Sequence, residues 1–409
     1  MISRIGKCRV GGQSDLLTVL SLGDQSLTGV FPRTAQTPVT IGPLELTWSP
    51  SSQLLQIGHV YPPDEMYGEN YGYRSGLNQS MVHHLSQKIG NLERYVDLKA
   101  GDVVLDIGSN DATSLKAYRT HGLTRIGIDP TGSKFKEFYP DDIVLVSDFF
   151  TAANYKKASQ TRARIITSIA MFYDLEDPIL FAQDIAASLA TDGIWHFEQS
   201  YMPAMLRLNS YDTICHEHVE YYSLTVVKNI LAAADLHILD VSMNDINGAS
   251  FAVTAAHKNS RLPVNEAVVN WLLALEEAMA LSTTAPYLAF ADRTKRHRED
   301  LRRLLQDLKD CGKRVLGFGA STKGNVVLQY CGIGPDLVEA IAEVNPEKYG
   351  CVTPGTHIPI VSEVDASRMQ ADYYLVLPWH FRAGILARER EFSANGGKFI
   401  FPFPEIEVV

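Results

Sequence analysis

One local pattern occurs twice in the chain: an apolar run, a glycine-containing turn and then a segment with helical periodicity. The first turn is DIGSNDA at residues 106–112, and the second is GFGASTKGN at residues 317–325. A buried strand that enters a helix through such a turn is typical of sheets covered by helices on both faces. The repeated pattern therefore predicts two α/β units in one chain.

Strands and helices alternate around both turns. Apolar runs recur between residues 102 and 257, and a second series begins at residue 314. Such alternation implies mostly parallel sheets. Residues 1–65 are instead rich in Gly, Pro, Ser and Thr with short β-type runs, whereas residues 265–308 are helical and charged. We therefore predict an α/β protein with a small β-rich N-terminal module (1–66), a central Rossmann-like domain (67–258), a helical connector (259–310) and a C-terminal second Rossmann-like α/β domain (311–409).

Charge and composition exclude several classes of protein. The net charge of −10 and the lack of a block of consecutive Lys and Arg residues argue against a nucleic-acid partner. No apolar run approaches the roughly 18 residues that span a bilayer, and the N-terminus lacks the apolar core of a secretory signal. The five cysteines have no paired spacing, which suits free thiols in a reducing compartment. We expect a cytoplasmic monomer that binds neither nucleic acid nor membrane.

The densest group of proton-handling side chains is SYDTICHEHVEYYS, at residues 210–223, where His216 and His218 flank Glu217. Three interpretations are open for this segment. It is a catalytic acid–base site, a metal site built on His-x-His plus Glu, or a polar loop whose histidines bond the backbone. The preceding apolar run ends in Glu198, which is typical of a strand that reaches the rim of an α/β sheet.

The first glycine turn carries acids at the ends of successive strands. Gly108 permits a sharp turn, and Asn110 tolerates backbone angles that otherwise favour glycine. An acid about twenty residues after such a turn can bind ribose hydroxyls, and the turn itself has no basic residue. These features suit a cationic ligand without phosphate, such as S-adenosylmethionine, although the acids can also serve only as helix caps. The expected cofactor-binding residues are Asp106, Gly108, Asn110, Asp129, Pro130, Asp148, Phe149 and Ala170.

The second glycine turn differs in its chemistry. Its backbone amides, hydroxyls and one ammonium group at a helix N-terminus suit a pyrophosphate, although the spacing is not that of a P-loop. The next strand again ends in an acid, and histidines and a tryptophan lie in turns near the predicted rim. The alternative is a helix-capping turn in a purely structural unit. The expected substrate-binding residues are Glu198, Asn247, Gly319, Ser321, Thr322, Lys323, Glu343, Asn345, His357, Trp379 and His380.

Several motifs in register extend over nearly the whole chain. They are DIGSNDA, SDFF, FEQSYMPAML, YDTICHEHVEYYSL, NDINGASF, GFGASTKGNVVLQYCGIG, EVNPEKYG, TPGTHIPI and VLPWHF. Together they resemble the S-adenosylmethionine-dependent nucleotide-sugar C-methyltransferases, which add a branch methyl at C-3 of 4-keto deoxysugars. The resemblance implies a zinc-binding N-terminal module, a central methyltransferase fold and a C-terminal half that helps to hold a nucleotide sugar, with dTDP or GDP as the nucleotide.

The resemblance also implies roles for individual residues. The family's Glu-His pair matches Glu217 and His218, so that His218 is the expected general base and Glu217 fixes its tautomer. The family's active-site tyrosine matches Tyr71, with Tyr73 beside it. Hydrogen bonds from Tyr71, Tyr73 or His216 are expected to stabilise the enolate that forms when the base removes the C-3 proton.

Three matches depart from the family pattern. The family's two CxxC zinc pairs correspond here to Cys8-Arg9-Val10-Gly11 and to WSPSS at residues 48–52, so serines stand where thiols are expected. Neutral serine is a poor zinc ligand, and we predict a module without metal that packs against the central domain. A second active-site histidine of some members matches Phe172, so its role is either absent here or supplied by His216 or Tyr173. The tyrosine three residues before the family's base matches Cys215.

Two other functions are compatible with parts of the sequence. An NAD(P)-dependent nucleotide-sugar oxidoreductase would use the second glycine turn, although that turn lacks the GxGxxG spacing. A catalytically silent nucleotide-sugar-binding homologue would have lost its activity together with its zinc. The intact pair Glu217-His218 and the intact first turn argue against such a loss.

Overall fold

A small antiparallel sheet forms the N-terminal part of the protein. The computed structural model describes residues 2–62, 66 and 74–409. Strands β2, β3 and β4 pair in this order, while β1 and β5 form a separate two-stranded ribbon. The ranges are β1 Ser3–Arg4, β2 Leu17–Ser26, β3 Ile41–Trp48, β4 Leu55–Ile57 and β5 His59–Val60.

The next strands of the chain build a seven-stranded central sheet. Its strands are β6 Val103–Ile107, β7 Thr124–Ile128, β8 Ile143–Val146, β9 Ala163–Ile169, β10 Leu189–Ser200, β12 Leu236–Asn244 and β13 Ser250–His257, with a short β11, Glu220–Tyr221, outside the sheet. The order is β12-β13-β10-β9-β6-β7-β8. The five strands from β10 to β8 run parallel, whereas β13 is antiparallel to both of its neighbours. The carboxyl ends of the parallel strands therefore lie at one edge.

A second, six-stranded sheet follows in the C-terminal part. Its strands are β14 Val315–Phe318, β15 Ile341–Glu343, β16 Ile360–Ser362, β17 Tyr373–Val376, β18 Lys398–Phe401 and β19 Glu407–Val408. The order is β16-β15-β14-β17-β18-β19, and only β19 is antiparallel. The predicted α/β class, with two Rossmann-like sheets and a small β-rich N-terminal part, is confirmed.

Helices connect the parallel strands, and polar side chains fix where several of them begin. Asp177, Ser223 and Ser321 each accept a hydrogen bond from a backbone N–H in the first turn of the helix that follows. The helices are α1 Gln79–Tyr95, α2 Thr113–Lys116, α3 Ala152–Ala158, α4 Pro178–Ser188, α5 Met202–Leu208, α6 Leu224–Ala233, α7 Glu266–Ala278, α8 Ala285–Asp310, α9 Thr322–Cys331, α10 Glu363–Arg368, α11 Arg382–Arg388 and α12 Arg390–Ala394. Pro286 lies in the first turn of α8, where it needs no N–H donor. Among the described residues, no helix has the length and apolar character needed to cross a bilayer.

The N-terminal part packs against more of the protein than the sequence predicted. Cys8 and Leu54 join the core of the central sheet, as predicted. Most apolar side chains of β2 and β3, such as Leu46 and Trp48, share a core with Met202 and Ile214 of the central domain and also with α8 and the C-terminal sheet. The Trp48 ring lies 5.2 Å from that of Tyr287 on α8. The predicted packing against the central domain is therefore present, and the contact with α8 and the C-terminal sheet is an addition that the sequence did not predict.

Candidate active site

A cleft of about 1650 Å³ lies between the carboxyl ends of the parallel strands of both large sheets. The glycine turns after β6 and β14 line it, and so does the segment at residues 29–33 from the N-terminal part. In open α/β sheets, ligands bind beyond the carboxyl ends of the strands. The cleft is therefore the candidate active site.

Asp129 organises the first glycine turn. One carboxylate oxygen accepts the backbone N–H of Asn110 at 2.7 Å, and the other accepts the N–H and the hydroxyl of Thr131, both at 2.7 Å. Asn110 has φ 48° and Gly108 has φ 69°, so the chain passes through the left-handed region as expected. A Cβ at position 108 would lie 3.3 Å from the side chain of Met171. The turn thus exposes bare backbone and an anchored carboxylate to the cleft.

Three further expected cofactor residues differ in their environment. Asp106 is buried, accepts a hydrogen bond from the Thr167 hydroxyl at 2.5 Å, and has its pKa raised to about 7 by burial. Phe149 lines the cleft with 59% of its surface exposed, so its ring is available for stacking. Asp148 is exposed, accepts the N–H of Phe149 at 2.8 Å, and does not line the cleft.

Glu343 organises the second glycine turn in the same way. It accepts the N–H of Ala320 at 2.7 Å through one oxygen and the N–H groups of Val344 and Asn345 at 2.8 Å through the other. The Lys323 ammonium donates to the carbonyl of Asn247 at 2.6 Å. Lys323 therefore reaches across the cleft to the loop before β13.

His218 lines the cleft as a neutral imidazole. Its Nδ1 lies 3.0 Å from the carbonyl oxygen of Thr213, which can only accept, so Nδ1 carries the proton and Nε2 carries the lone pair. Its ring centroid is 4.2 Å from that of Tyr173. Burial, followed by the positive charge of Lys323, lowers the pKa of His218 to about 4. The expectation that Glu217 fixes this tautomer is wrong, because Thr213 provides the contact.

Glu217 faces the N-terminal part of the protein. Burial raises the pKa of its carboxyl group, which is hydrogen-bonded to the Cys215 thiol, the Thr28 hydroxyl and the backbone of Gly29. A Cβ at position 29 would lie 2.5 Å from a Glu217 oxygen, so glycine is required for this approach. Glu217 therefore joins the segment at residues 210–223 to the N-terminal loop.

His216 is oriented away from the cleft. It is completely buried, its ring meets Tyr61 edge-on at 4.6 Å, and it does not line the cavity. Burial lowers its pKa to about 4. The expected role of His216 in stabilising an enolate is wrong because its ring packs into the N-terminal core.

Most of the expected site residues line the cleft. Those that line it are Asp106, Gly108, Asn110, Asp129, Pro130, Phe149, Ala170, Glu198, Glu217, His218, Asn247, Gly319, Ser321, Thr322, Lys323, Glu343, Asn345 and His380. Trp379 instead donates its indole N–H to Asp212 at 2.8 Å, behind the cleft wall, and His357 lies in a turn away from it. Tyr71 and Tyr73 lie outside the described residues.

Known proteins resemble the chain along its whole length. Residues 8–67 match a putative zinc binding domain, residues 81–241 a methyltransferase domain, and residues 245–404 the C-methyltransferase C-terminal domain. The C-methyltransferase NovU of Streptomyces niveus is 31% identical over 413 residues, which cover 100% of this chain and 98% of NovU. The chain belongs to the C-methyltransferase family. This assignment confirms the family inferred from the motifs, and it makes S-adenosylmethionine the cofactor of the enzyme.

Solved structures match at lower similarity. The N-methyltransferase NodS from Bradyrhizobium japonicum WM9 has 15% identity and a TM-score of 0.32, covering 44% of this chain and 98% of NodS. The plantazolicin methyltransferase BpumL in complex with SAH has 10% identity and a TM-score of 0.34, covering 42% of this chain and 82% of BpumL.

The first glycine turn fits the cofactor of this C-methyltransferase. The bare backbone at Gly108 allows close approach, the anchored Asp129 suits ribose hydroxyls, and the exposed Phe149 ring suits adenine. These three features come from the ends of β6, β7 and β8. They are the residues that would hold the adenosyl group.

The part of the chain that matches a zinc-binding model does not fit zinc. The Cys8 sulfur lies 3.0 Å from the Ser52 hydroxyl, and Asp15 accepts hydrogen bonds from the hydroxyls of Ser49 and Ser51 at 2.7 and 2.6 Å. Across the described ranges, no group of three or more His, Cys, Asp or Glu side chains is arranged to hold a metal. Hydrogen bonds close the two loops where thiolates would bind a metal. The absence of zinc stays a prediction.

Glu198 has an environment that its sequence context does not indicate, and its neighbour Gln199 is a further residue of the cleft. Glu198 lines the cleft, but His84 and Lys88 approach its carboxylate at 2.7 Å and the Asn244 amide donates to it at 2.6 Å. Burial alone would raise the pKa of Glu198, whereas His84 and Lys88 lower it to about 2. Gln199, in the same FEQS motif, also lines the cleft and was not among the expected residues. Only its position at the end of a strand pointed to it.

Proposed function

We propose that this C-methyltransferase transfers a methyl group to C-3 of a nucleotide-linked 4-keto-6-deoxy sugar through an enolate. The carbon next to a ketone bears an acidic proton, which a positioned base can remove. The observation that carries the proposal is the neutral His218, whose Nδ1–H is held by Thr213 and whose Nε2 is unprotonated.

A positive charge near the base supports an enolate intermediate. Lys323 lines the same cleft, and its ammonium charge contributes to the lowered pKa of His218. The same charge stabilises the negative oxygen that forms when the carbon loses its proton. S-adenosylmethionine supplies an electrophilic methyl group when it is bound. Tyr71 and Tyr73 stay predicted contributors to the stabilisation of the enolate.

The second glycine turn supports a nucleotide-linked substrate. Its loop lines the same cleft as His218, with hydroxyl groups from Ser321 and Thr322 and the carboxylate of Glu343 nearby. We propose that this side of the cleft holds the nucleotide, dTDP or GDP, while the sugar extends toward His218.

Mass spectrometry tests the reaction directly. Candidate 4-keto-6-deoxy sugars linked to dTDP or GDP are incubated with the enzyme and S-adenosylmethionine, and one product is expected to gain one methyl group. NMR then locates the methyl. Both carbons next to the ketone are acidic, so a methyl at C-5 would contradict the C-3 assignment but keep the enolate chemistry. No gain with any substrate, despite cofactor binding, would favour the catalytically silent alternative.

The variant His218→Asn tests the base. We expect the methylation rate to fall by about 10²–10⁴, the usual range for a general base, while calorimetric binding of S-adenosylhomocysteine is kept. His216→Phe is the matched control, because it changes the neighbouring histidine outside the cleft. Normal turnover in His218→Asn would remove His218 from the role.

A further inference from the structure

Gln199 is a buried amide without an internal partner. The residue is 1% exposed, and within the described part of the chain neither its Nε2 nor its Oε1 has a hydrogen-bond partner. Burying an unpaired amide is unfavourable, and most buried polar groups in native proteins have a hydrogen-bond partner. Gln199 also lines the cleft. A ligand in the cleft can therefore supply both missing hydrogen bonds.

The strand places Gln199 on the same side of the sheet as the base. Side chains two residues apart on a strand point to the same face, so the side chain of Gln199 lies on the same face of β10 as that of Phe197. The Phe197 ring packs on Phe172 at 5.2 Å. Tyr173, which follows Phe172 in the chain, packs its ring against that of His218, with the ring centroids 4.2 Å apart. Gln199 is thus the polar end of a row of aromatic residues that leads to His218.

Its neighbour Glu198 lies on the opposite face and already has partners. Its carboxylate binds His84 and Lys88 from α1, together with the Asn244 amide. These contacts satisfy Glu198 without a ligand. Of the two side chains, only Gln199 has unused hydrogen-bonding groups.

We propose that Gln199 binds the sugar at its reacting centre, with Nε2–H donating to the ketone oxygen and Oε1 accepting from a hydroxyl on an adjacent carbon. This inference rests on the proposed function. A ketone only accepts, whereas a hydroxyl can donate, so the pair is the complement of a primary amide. When His218 takes the proton from the α-carbon, the C–H electron pair becomes the C=C bond of the enolate. The former ketone oxygen then carries the negative charge, and Gln199 donates to it more strongly.

The adenine edge of the cofactor presents a similar acceptor–donor pair, but the sheet order argues against it. Asp129 and Phe149 follow β7 and β8, whereas Gln199 is on β10, with β6 and β9 between. Gln199 therefore lies on the substrate side of the cleft.

The variant Gln199→Met keeps the length of the side chain and removes both polar atoms. Gln25→Met is the matched control, because Gln25 is also 1% exposed with both amide atoms unpartnered, but it does not line the cleft. The substrate is the 4-keto sugar that the wild-type enzyme methylates. Exchange of its α-proton in D₂O without methyl donor is followed by NMR at saturating sugar, and calorimetric binding of S-adenosylhomocysteine reports the folded state.

We expect Gln199→Met to slow α-proton exchange by about 10²–10³, the usual effect of losing one oxyanion donor, with unchanged S-adenosylhomocysteine binding. Gln25→Met is expected to exchange like the wild type. Exchange within about threefold of the wild type in Gln199→Met would overturn the inference. Weakened S-adenosylhomocysteine binding with normal exchange would also overturn it and make Gln199 a cofactor contact. If the wild type itself neither exchanges nor methylates any 4-keto sugar, the proposed function fails instead.

Discussion

Two histidines in one short segment have opposite environments. His218 faces the cleft with its Nδ1–H bound to Thr213, whereas the ring of His216 packs against Tyr61. The sequence predicts that the segment carries proton-handling groups, since such a density of them is unusual. It does not predict which ring faces the ligand, because that depends on contacts with the distant N-terminal strands.

The low pKa of His218 predicts the acid side of the pH profile. Burial and the charge of Lys323 lower it from 6.5 to about 4, and the base is competent only when neutral. We expect protonation of His218 to leave kcat/KM unchanged between pH 7 and about pH 5. Below that range, kcat/KM should fall as the pH decreases through about 4. Steady-state kinetics across this range measure the effect.

Removing the charge that contributes to the shift provides the control. In Lys323→Met we expect the pKa of the base to rise, so that the acid limb moves upward in pH while the overall rate falls. A wild-type limb centred near pH 6.5 would contradict the buried, neutral state of His218.

Gln199 illustrates a limit of sequence analysis at this scale. Asp129 and Gly108 were predicted because the order of strand, turn and acid has a recognisable spacing. The sequence around Gln199 does not show that its amide lacks a hydrogen-bond partner. This property exists only once the neighbouring strands and Phe172 are in place.

At the scale of secondary-structure elements, the two glycine turns are held by the same kind of hydrogen bond. In each sheet, an acid at the end of the second strand accepts a backbone N–H from the turn after the first strand. Asp129 accepts from Asn110, and Glu343 accepts from Ala320, both at 2.7 Å. The acid thereby fixes the turn against which a ligand can lie.

Because each acid holds a different turn, we expect substitutions of the two acids to weaken the binding of different ligands. Asp129→Asn places an amide N–H near backbone donors, so we expect S-adenosylhomocysteine to bind at least about tenfold more weakly, with the nucleotide sugar little affected. Glu343→Gln is expected to do the reverse. Calorimetry with each ligand on both variants gives the comparison. Equal weakening of both ligands by either variant would mean that the turns do not act independently.

The elements themselves were largely predictable, but their packing was not. Alternating apolar runs identified the strands of both large sheets, because parallel strands buried on both faces lack polar positions. The contact between Trp48 and Tyr287 was not predicted, since it joins residues more than two hundred positions apart. Hydrophobic periodicity shows that α8 has an apolar face but does not show what covers it.

At the scale of the whole molecule, the N-terminal part forms one wall of the cleft. Strand β11, which follows His218, pairs with β4, and Glu217 approaches Gly29. The Asn325 amide on α9 donates to the carbonyl of Thr28 at 2.8 Å. The N-terminal part is therefore tied both to the segment at residues 210–223 and to the second glycine turn.

These contacts predict that the N-terminal part keeps its structure without zinc. Cys8 is the single thiol left from the family's two pairs, and its sulfur contacts Ser52, while Asp15 binds Ser49 and Ser51. A site with one thiol and neutral hydroxyls binds zinc weakly. We expect mass spectrometry of the purified enzyme to find far less than one zinc per chain, and a chelator to leave both the thermal midpoint and methylation unchanged. One tightly bound zinc per chain, or a lower midpoint after chelation, would show that the hydrogen bonds between Asp15, Ser49, Ser51, Ser52 and Cys8 do not replace the metal.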